Sequence, residues 1–169
     1  MFWIILFVFI FQRLVELAVA KRNEIYAKKR GAIEYGKRHY PFIVTMHVLF
    51  FASFICEAAV FERGILPFPA LVLTGFALLL TQGLRYWSLF SLGECWNTKI
   101  LVIPGANLIR KGPYQWIKHP NYLAVVLELF LLPLLFQAYV TAVVFTVTNA
   151  ILMMIRIREE EQALKKLCH

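Results

Sequence analysis

Five apolar stretches, separated by polar segments, are the feature that most limits how this chain can fold. They run from Phe2 to about Ala20, Phe42 to Phe61, Ile65 to about Leu84, Tyr122 to Phe136 and Ala138 to Ile155. A membrane-crossing helix needs about 20 apolar residues. Of the 169 residues, 60% are hydrophobic, against about 45–50% in a soluble domain. The sequence therefore predicts an all-α integral membrane helical bundle of about five spans, in a single domain covering residues 1–169.

The fourth stretch is the shortest of the five. Its 15 residues would extend about 22 Å as a helix, whereas the hydrocarbon core of a bilayer is about 30 Å thick. Pro133 interrupts this stretch, and the fifth stretch begins immediately after Gln137. We therefore predict that the fourth and fifth spans form a tight antiparallel helical hairpin with a turn of about one or two residues.

Basic residues concentrate in three of the polar segments. The segment from Lys21 to Arg38 holds seven Lys/Arg, the segment from Lys99 to Lys118 holds four, and the tail after Ile155 holds four, which makes 15 of the 18. In the two remaining loops Arg63 is the only basic residue, and the residues around Gln137 are neutral. With five spans, the three basic segments lie on one side, which the positive-inside rule identifies as the cytoplasm. We predict a multi-pass cell-membrane protein with its N-terminus outside and its C-terminus in the cytoplasm.

The formal charge of +8 has two interpretations, nucleic-acid binding and contact with an anionic lipid leaflet. In such a hydrophobic chain the second is favoured, so we expect membrane lipids and no nucleic acid as partners. Cys56, Cys95 and Cys168 are too far apart in the chain for a zinc-binding pair, and we expect free thiols and no metal. Dinucleotide, P-loop, serine-hydrolase and zinc-protease motifs are absent from the sequence.

The loop from Leu92 to Tyr122 is the first candidate for a functional site. It contains three glycines, three prolines, two tryptophans, two tyrosines and a histidine. Gly112 and Pro113 predict a turn, and Pro120 stands where the first position of a helix accepts proline. The loop is therefore either a re-entry into a helix with aromatic residues at the membrane interface, or a binding loop.

The second candidate is the run from Arg156 to Glu161 after the fifth span. Three consecutive carboxylates at a helix C-terminus oppose the helix dipole, and Arg four residues before Glu is the weaker order for a helical ion pair. Helix stability therefore does not explain the run. Arg156 and Glu160 share one helix face and could bind a zwitterionic amino-acid group. The alternative is a solvated helix end.

Ionisable residues within membrane spans are a third group of candidates, because their burial is expensive. Arg13 and Glu16 are three residues apart and should partly neutralise each other. Glu128 lies six residues into the fourth stretch, where it either lines an acceptor cavity or pairs with Arg85 or Arg13. The other members of the group are His47 and Glu57.

Two motifs separated by one helical hairpin resemble a known family. The first joins Gly112-Pro113-Tyr114 to Lys118-His119-Pro120-Asn121-Tyr122, and the second is Arg156-Ile157-x-x-Glu160-Glu161-x-x-Leu164. Together they resemble the isoprenylcysteine carboxyl methyltransferase family of integral membrane enzymes, and more distantly the phospholipid methyltransferases. Earlier segments, including Leu92-Gly93-x-x-Trp96-Asn97-Thr98, look like the bacterial branch of that family.

The resemblance implies that S-adenosyl-L-methionine binds in a cytoplasm-facing pocket made by the loop before the fourth span and the helix after the fifth. Arg156 corresponds to an arginine at the methyl acceptor, and Lys118 stands where the family usually has Arg. The cofactor-binding residues carried over by motif are Tyr114, His119, Pro120, Asn121, Tyr122, Glu160 and Glu161. A further stretch matches by spacing and comprises Ala106, Asn107, Leu108 and Ile109.

The chemistry of methyl transfer favours an acidic oxygen as the acceptor. A sulfonium and an oxyanion cancel their charges in the transition state, so a dry and positioned pocket is sufficient. An amine acceptor would need a base, for which His119 and Glu128 are the obvious candidates. We predict Arg156 and Glu128 as the catalytic residues, with Arg156 holding the oxyanion.

The acceptor itself has several interpretations. Resemblance to the bacterial branch favours O-methylation of a long-chain polyketide such as an alkylpyrone. N-methylation of a phospholipid and carboxyl methylation of a prenylated cysteine are the alternatives within the same chemistry. A non-catalytic membrane scaffold or lipid-binding protein is the alternative from another class. In each enzymatic case the partner is a lipophilic small molecule, and the oligomeric state is not predicted.

Overall fold

The computed structural model describes residues 1–61 and 64–167, so the predictions for Arg63 and Cys168 lie outside the described residues. Cys56 and Cys95 are free and exposed. In the described part of the chain, three-residue strands and short 3₁₀ turns accompany five α-helices. The helices are α1 (Phe2–Lys29), α2 (Tyr40–Phe61), α3 (Phe68–Leu92), α4 (Pro120–Leu134) and α5 (Tyr139–Leu167).

Four of these helices, α1, α2, α3 and α5, are long and apolar enough to cross a membrane, while α4 has the predicted 15 residues. The all-α membrane class is thereby confirmed. The predicted turn of one or two residues between α4 and α5 is wrong, because residues 135–138 form the connection. Helix α4 ends directly after Pro133, whose carbonyl accepts hydrogen bonds from the N–H groups of Phe136 and Ala138, and Gln137 adopts a left-handed φ of 56°.

Helix α1 continues well beyond its apolar stretch to Lys29, and a glycine follows two residues later. Its 28 residues extend about 42 Å, so the basic last turns exceed the roughly 30 Å of a hydrocarbon core. Gly31 has a φ of 81°. Its N–H donates to the carbonyl of Lys28, and the N–H of Ala32 donates to that of Ala27, each at 3.0 Å. This is a Schellman motif, which satisfies carbonyls that a helix end otherwise leaves unpaired.

The chain divides into two compact units. Unit 1 comprises Met1–Lys37, Leu92–Ile109 and the residues from Ile157 onward, and unit 2 comprises Arg38–Ser91 and Arg110–Arg156. Helices α3 and α5 contribute residues to both units.

Unit 1 contains a small β-ladder that the sequence analysis did not predict. Strand β1 (Ile33–Tyr35) pairs antiparallel with β2 (Ile100–Val102), with Glu34 opposite Leu101. The last turns of α5 pack on this ladder through the buried Ala163, which joins a cluster of Ile100 and Val102. Three residues are too few to show the alternating pattern by which a strand is recognised from sequence.

Within unit 1, side-chain hydrogen bonds connect α1 to the segment that follows α3. The side-chain amide of Asn23 donates to the carbonyls of Gly93 at 3.1 Å and Trp96 at 2.8 Å. The amide of Asn97 donates to the carbonyl of Ala20 at 2.8 Å. The Glu24 carboxylate is buried and accepts hydrogen bonds from the ammonium groups of Lys21, Lys28 and Lys99.

Unit 2 has an aromatic core and one buried carboxylate at a helix end. Phe50 and Phe54 of α2 are almost fully buried. Three residues after Phe54, Glu57 accepts hydrogen bonds from the backbone N–H groups of Val140 at 3.1 Å and Thr141 at 2.7 Å. These donors belong to the first turn of α5, which has no intrahelical partners for them. Glu57 therefore caps α5 from a different helix.

Candidate functional site

Gly112 is held in a turn that favours glycine. It begins the short 3₁₀ turn Gly112–Gln115 with a φ of 59°. A Cβ at this position would overlap the side chain of Ser91 and come within 3.0 Å of the indole nitrogen of Trp87. The predicted Gly112-Pro113 turn is present, with Pro113 buried. It directs the chain towards the motif that starts α4.

Helix α4 begins at Pro120, as the sequence predicted for a proline at the first helical position. His119 occupies the N-cap position. Its ring stacks on that of Tyr122, with a centroid separation of 5.3 Å and an interplanar angle of 3°. The first turn of α4 thus presents two parallel rings from the family motif.

Arg156 joins these rings within unit 2. Its Nε donates a hydrogen bond of 2.9 Å to the hydroxyl of Tyr122, and its guanidinium carbon lies 5.4 Å from the centroid of the Tyr122 ring. Arg156 is only 7% exposed. A hydrogen bond and a cation–π contact to one side chain fix both the position and the plane of the guanidinium. The structure therefore brings together three of the predicted site residues, His119, Tyr122 and Arg156.

Asn121 and Tyr114 are the other motif residues with side chains that can bind polar groups. The Oδ1 atom of Asn121 is buried and has no hydrogen-bond partner among the described residues, while Tyr114 is half-buried. An unpaired buried acceptor costs free energy. The Oδ1 atom of Asn121 can therefore accept a hydrogen bond from a bound molecule.

The remaining predicted cofactor residues belong to unit 1. Glu160 and Glu161 are half-buried on α5. The backbone N–H of Gly105 donates to the carbonyl of Leu167 at 2.7 Å, which fixes the start of the stretch Ala106–Ile109 at the end of the helix that carries the two glutamates. Asn107 and Leu108 are exposed in this stretch. Unit 1 thus associates the residues matched by spacing with the last turns of α5.

Arg156 and Glu160 lie on the same continuous helix. Because α5 runs without a break from Tyr139 to Leu167, residues four apart are one turn apart on one face. The predicted spacing of cation and anion is therefore present. Arg156 is buried and Glu160 half-buried.

Glu128 takes part in a buried ion pair. Its Oε2 accepts hydrogen bonds from Arg85 Nη1 at 3.3 Å and from Gln82 Nε2 at 3.0 Å, and both charged residues are 2% exposed. Of the two predicted environments, pairing with Arg85 is therefore present. Arg13 and Glu16 also pair as predicted, with 3.1 Å between Nη1 and Oε2.

Sequence analysis missed two polar residues of α5. Asn149 is fully buried, and neither atom of its amide has a hydrogen-bond partner in the part of the chain that the structure describes. The Oγ1 of Thr146, three residues earlier, is also buried and without a partner. An asparagine inside an apolar span is the sequence signal for this position.

Both motifs lie within the part of the chain that matches a known protein family. The model of the isoprenylcysteine carboxyl methyltransferase (ICMT) family matches residues 71–166, which include both motifs. The chain is 51% identical over 168 residues to "Uncharacterized protein YpbQ" of Bacillus subtilis (strain 168), covering 98% of each chain. It is 31% identical over 157 residues to an uncharacterized protein of Haemophilus influenzae, covering 92% of this chain and 90% of the relative. The chain therefore belongs to the isoprenylcysteine carboxyl methyltransferase family and is a membrane methyltransferase.

Proposed function

We propose that this protein transfers the methyl group of S-adenosyl-L-methionine to an acidic oxygen of a lipophilic acceptor, most specifically a long-chain polyketide such as an alkylpyrone. The family shows the general class, a membrane methyltransferase. We propose three finer points: that this chain uses S-adenosyl-L-methionine as the methyl donor, that the methylated atom is an oxygen, and that the acceptor is a lipophilic polyketide. The observation that carries it is the geometry of Arg156.

The chemistry of the motif residues fits the methyl donor. Bound S-adenosyl-L-methionine would supply an electrophilic methyl group on a sulfonium. The carboxylate of Glu160 matches the donor's ammonium, with Glu161 beside it. Asn121 Oδ1 offers a buried acceptor, and the parallel rings of His119 and Tyr122 offer aromatic faces, which attract both planar rings and cations. We assign the remaining cofactor contacts to Tyr114, Pro120 and the stretch Ala106–Ile109.

Arg156 supports an oxyanion as the acceptor. Its Nε donates to Tyr122, and a guanidinium is a planar, charged group of N–H donors whose geometry suits an oxyanion. Because Arg156 is only 7% exposed, its charge is weakly screened by water and interacts strongly with a negative oxygen. The side chain is held before the acceptor arrives, which is the condition for stabilising the reacting geometry.

The two candidate bases for an amine acceptor have other roles in this proposal. Glu128 accepts hydrogen bonds from Arg85 and Gln82, and we assign His119 to the cofactor. An acceptor that is already ionised needs no proton removed during transfer. This favours O-methylation over the N-methylation of a phospholipid. In this reaction we assign Glu128 a structural role, in which its carboxylate holds the side chain of Arg85 in place.

The reaction then depends on alignment. Arg156 holds the acceptor oxygen, whose electron pair forms the new O–CH₃ bond as the S–CH₃ bond breaks and its electrons remain on sulfur. The positive charge of the sulfonium and the negative charge of the oxygen disappear together, so exclusion of water favours the transfer. We place the motif residues on the cytoplasmic side of the cell membrane, with the N-terminus outside, because 15 of the 18 basic residues lie in the three segments assigned to that side.

The proposal is tested by incubating membranes that contain the protein with methyl-labelled S-adenosylmethionine and extracting the lipids. We expect label in a base-stable lipid ether. Label released by base as volatile methanol would instead indicate a carboxyl ester, and label in a phospholipid head group would indicate N-methylation. Purified protein that binds neither S-adenosylmethionine nor its demethylated product would overturn the enzymatic function and favour a scaffold or lipid-binding protein.

Two variants separate the proposed roles in the same assay. Arg156→Ala should lower turnover by roughly 10²–10³-fold, the loss typical of an oxyanion donor, with little change in cofactor affinity. Glu160→Ala should mainly weaken cofactor binding, by about tenfold or more, because a charge-assisted hydrogen bond is lost. Equal cofactor affinity in Glu160→Ala and the parent would contradict the assignment of Glu160.

A further inference from the structure

Three polar residues of α5 follow one another on a single helix face, which we call the polar face of α5: Thr146, Asn149 and Arg156. The spacings of three and seven residues repeat the helical period, so these side chains lie along one line. Met153, between the last two, is also buried at 6% exposure. The line runs from the apolar part of α5 to the arginine of the candidate site, all within unit 2.

The opposite face of α5 is apolar and exposed. Its exposed side chains include Val143, Val147, Ile151 and Met154. Such a face contacts the hydrocarbon of a bilayer, whereas the polar face turns to the interior of unit 2. The amide of Asn149, at 0% exposure, is therefore directed away from lipid.

Both polar atoms of the Asn149 amide are without a hydrogen-bond partner within residues 1–61 and 64–167, unlike the buried polar groups of Ser53 and Glu57 in the same unit. Ser53 bonds Thr141, and Glu57 caps α5. In contrast, both polar atoms of the Asn149 amide and the hydroxyl oxygen of Thr146 have no partner among the described residues. Within a membrane, water cannot reach such groups from outside, so leaving them unpaired is costly. A polar group of a bound molecule would remove this cost.

We propose that Asn149, with Thr146, binds a second oxygen of the methyl acceptor, deeper in the membrane than the oxygen held by Arg156. The inference rests on the proposed function and deepens it, because it specifies the acceptor class: a lipophilic molecule with two oxygen functions at one end. The reacting oxygen is ionised and lies at Arg156. The second is a neutral carbonyl or hydroxyl at Asn149.

The spacing along α5 suits one compact head group. Seven residues separate the Cα positions of Asn149 and Arg156 by about 10 Å. Side chains of a helix lean towards its N-terminus, and the longer arginine leans further. The guanidinium therefore comes closer to the amide than the Cα spacing suggests. Met153 between them has an unbranched, adaptable side chain that can repack around a ligand.

The proposed contact distinguishes the acceptor classes by their chemistry. An amide has both a donor and an acceptor, so it binds a carbonyl or a hydroxyl equally well. A hydroxypyrone has a neutral ring carbonyl close to its acidic hydroxyl, whereas the carboxylate of a prenylated cysteine is followed by a nitrogen on Cα and then by a thioether and a hydrocarbon chain, with no carbonyl or hydroxyl on the lipophilic side. The polar face of α5 therefore favours the oxygen-rich acceptor.

The test compares two synthetic probes on the purified full chain. One is a long-chain hydroxypyrone, and the other is a phenol with the same chain and no ring carbonyl. Probe affinity is measured by titrating the shift in unfolding temperature, which requires no turnover. We expect the parent to bind the hydroxypyrone more tightly than the phenol, and Asn149→Leu to lose about tenfold in hydroxypyrone affinity, the loss of about one hydrogen bond, while phenol affinity changes by less than about twofold.

The matched control is Thr148→Val on the exposed face of the same helix, where the Thr148 hydroxyl donates to the carbonyl of Val144. This variant should keep the preference for the hydroxypyrone. Asn149→Ala provides a second substitution if Leu prevents folding. Since the Asn149 amide is unpaired in the free protein, neither variant should unfold at a much lower temperature than the parent.

Four results would overturn the inference: equal affinity of the parent for both probes, no binding of either probe, an unchanged preference in the Asn149 variants, or the same loss in Thr148→Val. The proposed function is judged separately by S-adenosylmethionine, which should raise the unfolding temperature of the parent and of all three variants. If it does not stabilise the parent, the proposed function fails, whatever the probes do.

Discussion

Two deeply buried asparagines, Asn23 in unit 1 and Asn149 in unit 2, differ in their hydrogen bonding. In unit 1, Asn23 and Glu24 are 2% and 4% exposed, and each has several partners within the unit. In unit 2, Asn149 is as deeply buried but has none in the described part of the chain. Paired groups hold segments of backbone together, whereas an unpaired group lowers stability. Asn23 and Glu24 therefore maintain the fold, whereas Asn149 is the residue for which we propose a ligand.

Glu128 provides the largest test of this comparison, because it belongs to unit 2 but is paired. Glu128→Ala leaves Arg85 buried without its carboxylate, and removal of one partner of a buried ion pair costs about 3–5 kcal/mol. We therefore expect a large fall in the free energy of unfolding, measured by thermal or denaturant unfolding in detergent. Glu128→Gln should lose less, since the amide still accepts a hydrogen bond.

The same variants examine the catalytic role that the sequence predicted for Glu128. If Glu128→Gln folds with near-parental stability and has lost turnover, the carboxylate acts in the reaction and not only through Arg85. Near-parental turnover in a less stable Glu128→Gln would assign it to the fold.

Asn23→Ala is the corresponding test in unit 1. The substitution leaves the carbonyls of Gly93 and Trp96 without their donor, and each buried unsatisfied group costs about 1–3 kcal/mol. The unfolding temperature should fall clearly, while the specific activity of the protein that remains folded should not change. Gln162→Ala, an exposed amide on α5, is the control and should leave the unfolding temperature unchanged. A stable Asn23→Ala would remove the contrast between the two units.

Tyr122→Phe tests whether Arg156 must be held in place. The variant keeps the ring that stacks on His119 and loses only the hydroxyl that accepts the hydrogen bond of Arg156. We expect turnover to fall about tenfold, equivalent to about 1.4 kcal/mol, with cofactor affinity and stability little changed. Parallel losses of cofactor affinity and turnover would instead place the hydroxyl in the cofactor site.

Glu57→Gln should have the smallest effect of the series. The amide oxygen can still accept one hydrogen bond from the first turn of α5, but the negative charge at the helix N-terminus is lost. Such caps and charges contribute about 0.5–2 kcal/mol. A small fall in unfolding temperature with unchanged activity is expected. Loss of activity without loss of stability would contradict a structural role for Glu57.

The elements of the fold and the residues of the site differ in how far the sequence predicts them. Apolar stretches predicted the helices, since burial in lipid requires about 20 apolar residues whatever the tertiary structure. Pro120 predicted the start of α4 because the first position of a helix accepts proline without losing a backbone hydrogen bond. The β-ladder at Ile33–Tyr35 was not predictable, because its pairing with residues far along the chain depends on tertiary contacts. The family resemblance supplied most of the site residues, while Arg156, Glu160 and Glu128 also stood out by their charges.

Hydrogen-bond partners were the least predictable feature. The pairing of Glu128 with Arg85 was one of several alternatives, since the relative rotation of α3 and α4 decides which side chains meet. The contact of Tyr122 with Arg156 joins residues 34 positions apart and follows from no local pattern. The lack of a partner at Asn149 is recognisable only once every neighbouring helix is in place.

The capping of α5 by Glu57 also has a consequence for the order in which the protein is made. Val140, whose N–H donates to this carboxylate, is synthesised 83 residues after Glu57. Until α5 emerges from the ribosome, the carboxylate near the end of α2 lacks this partner, and the bilayer does not provide one. We therefore expect α2 to settle to its final depth only when α5 inserts. A chain truncated before Tyr139 should leave Glu57 accessible to water at the membrane surface.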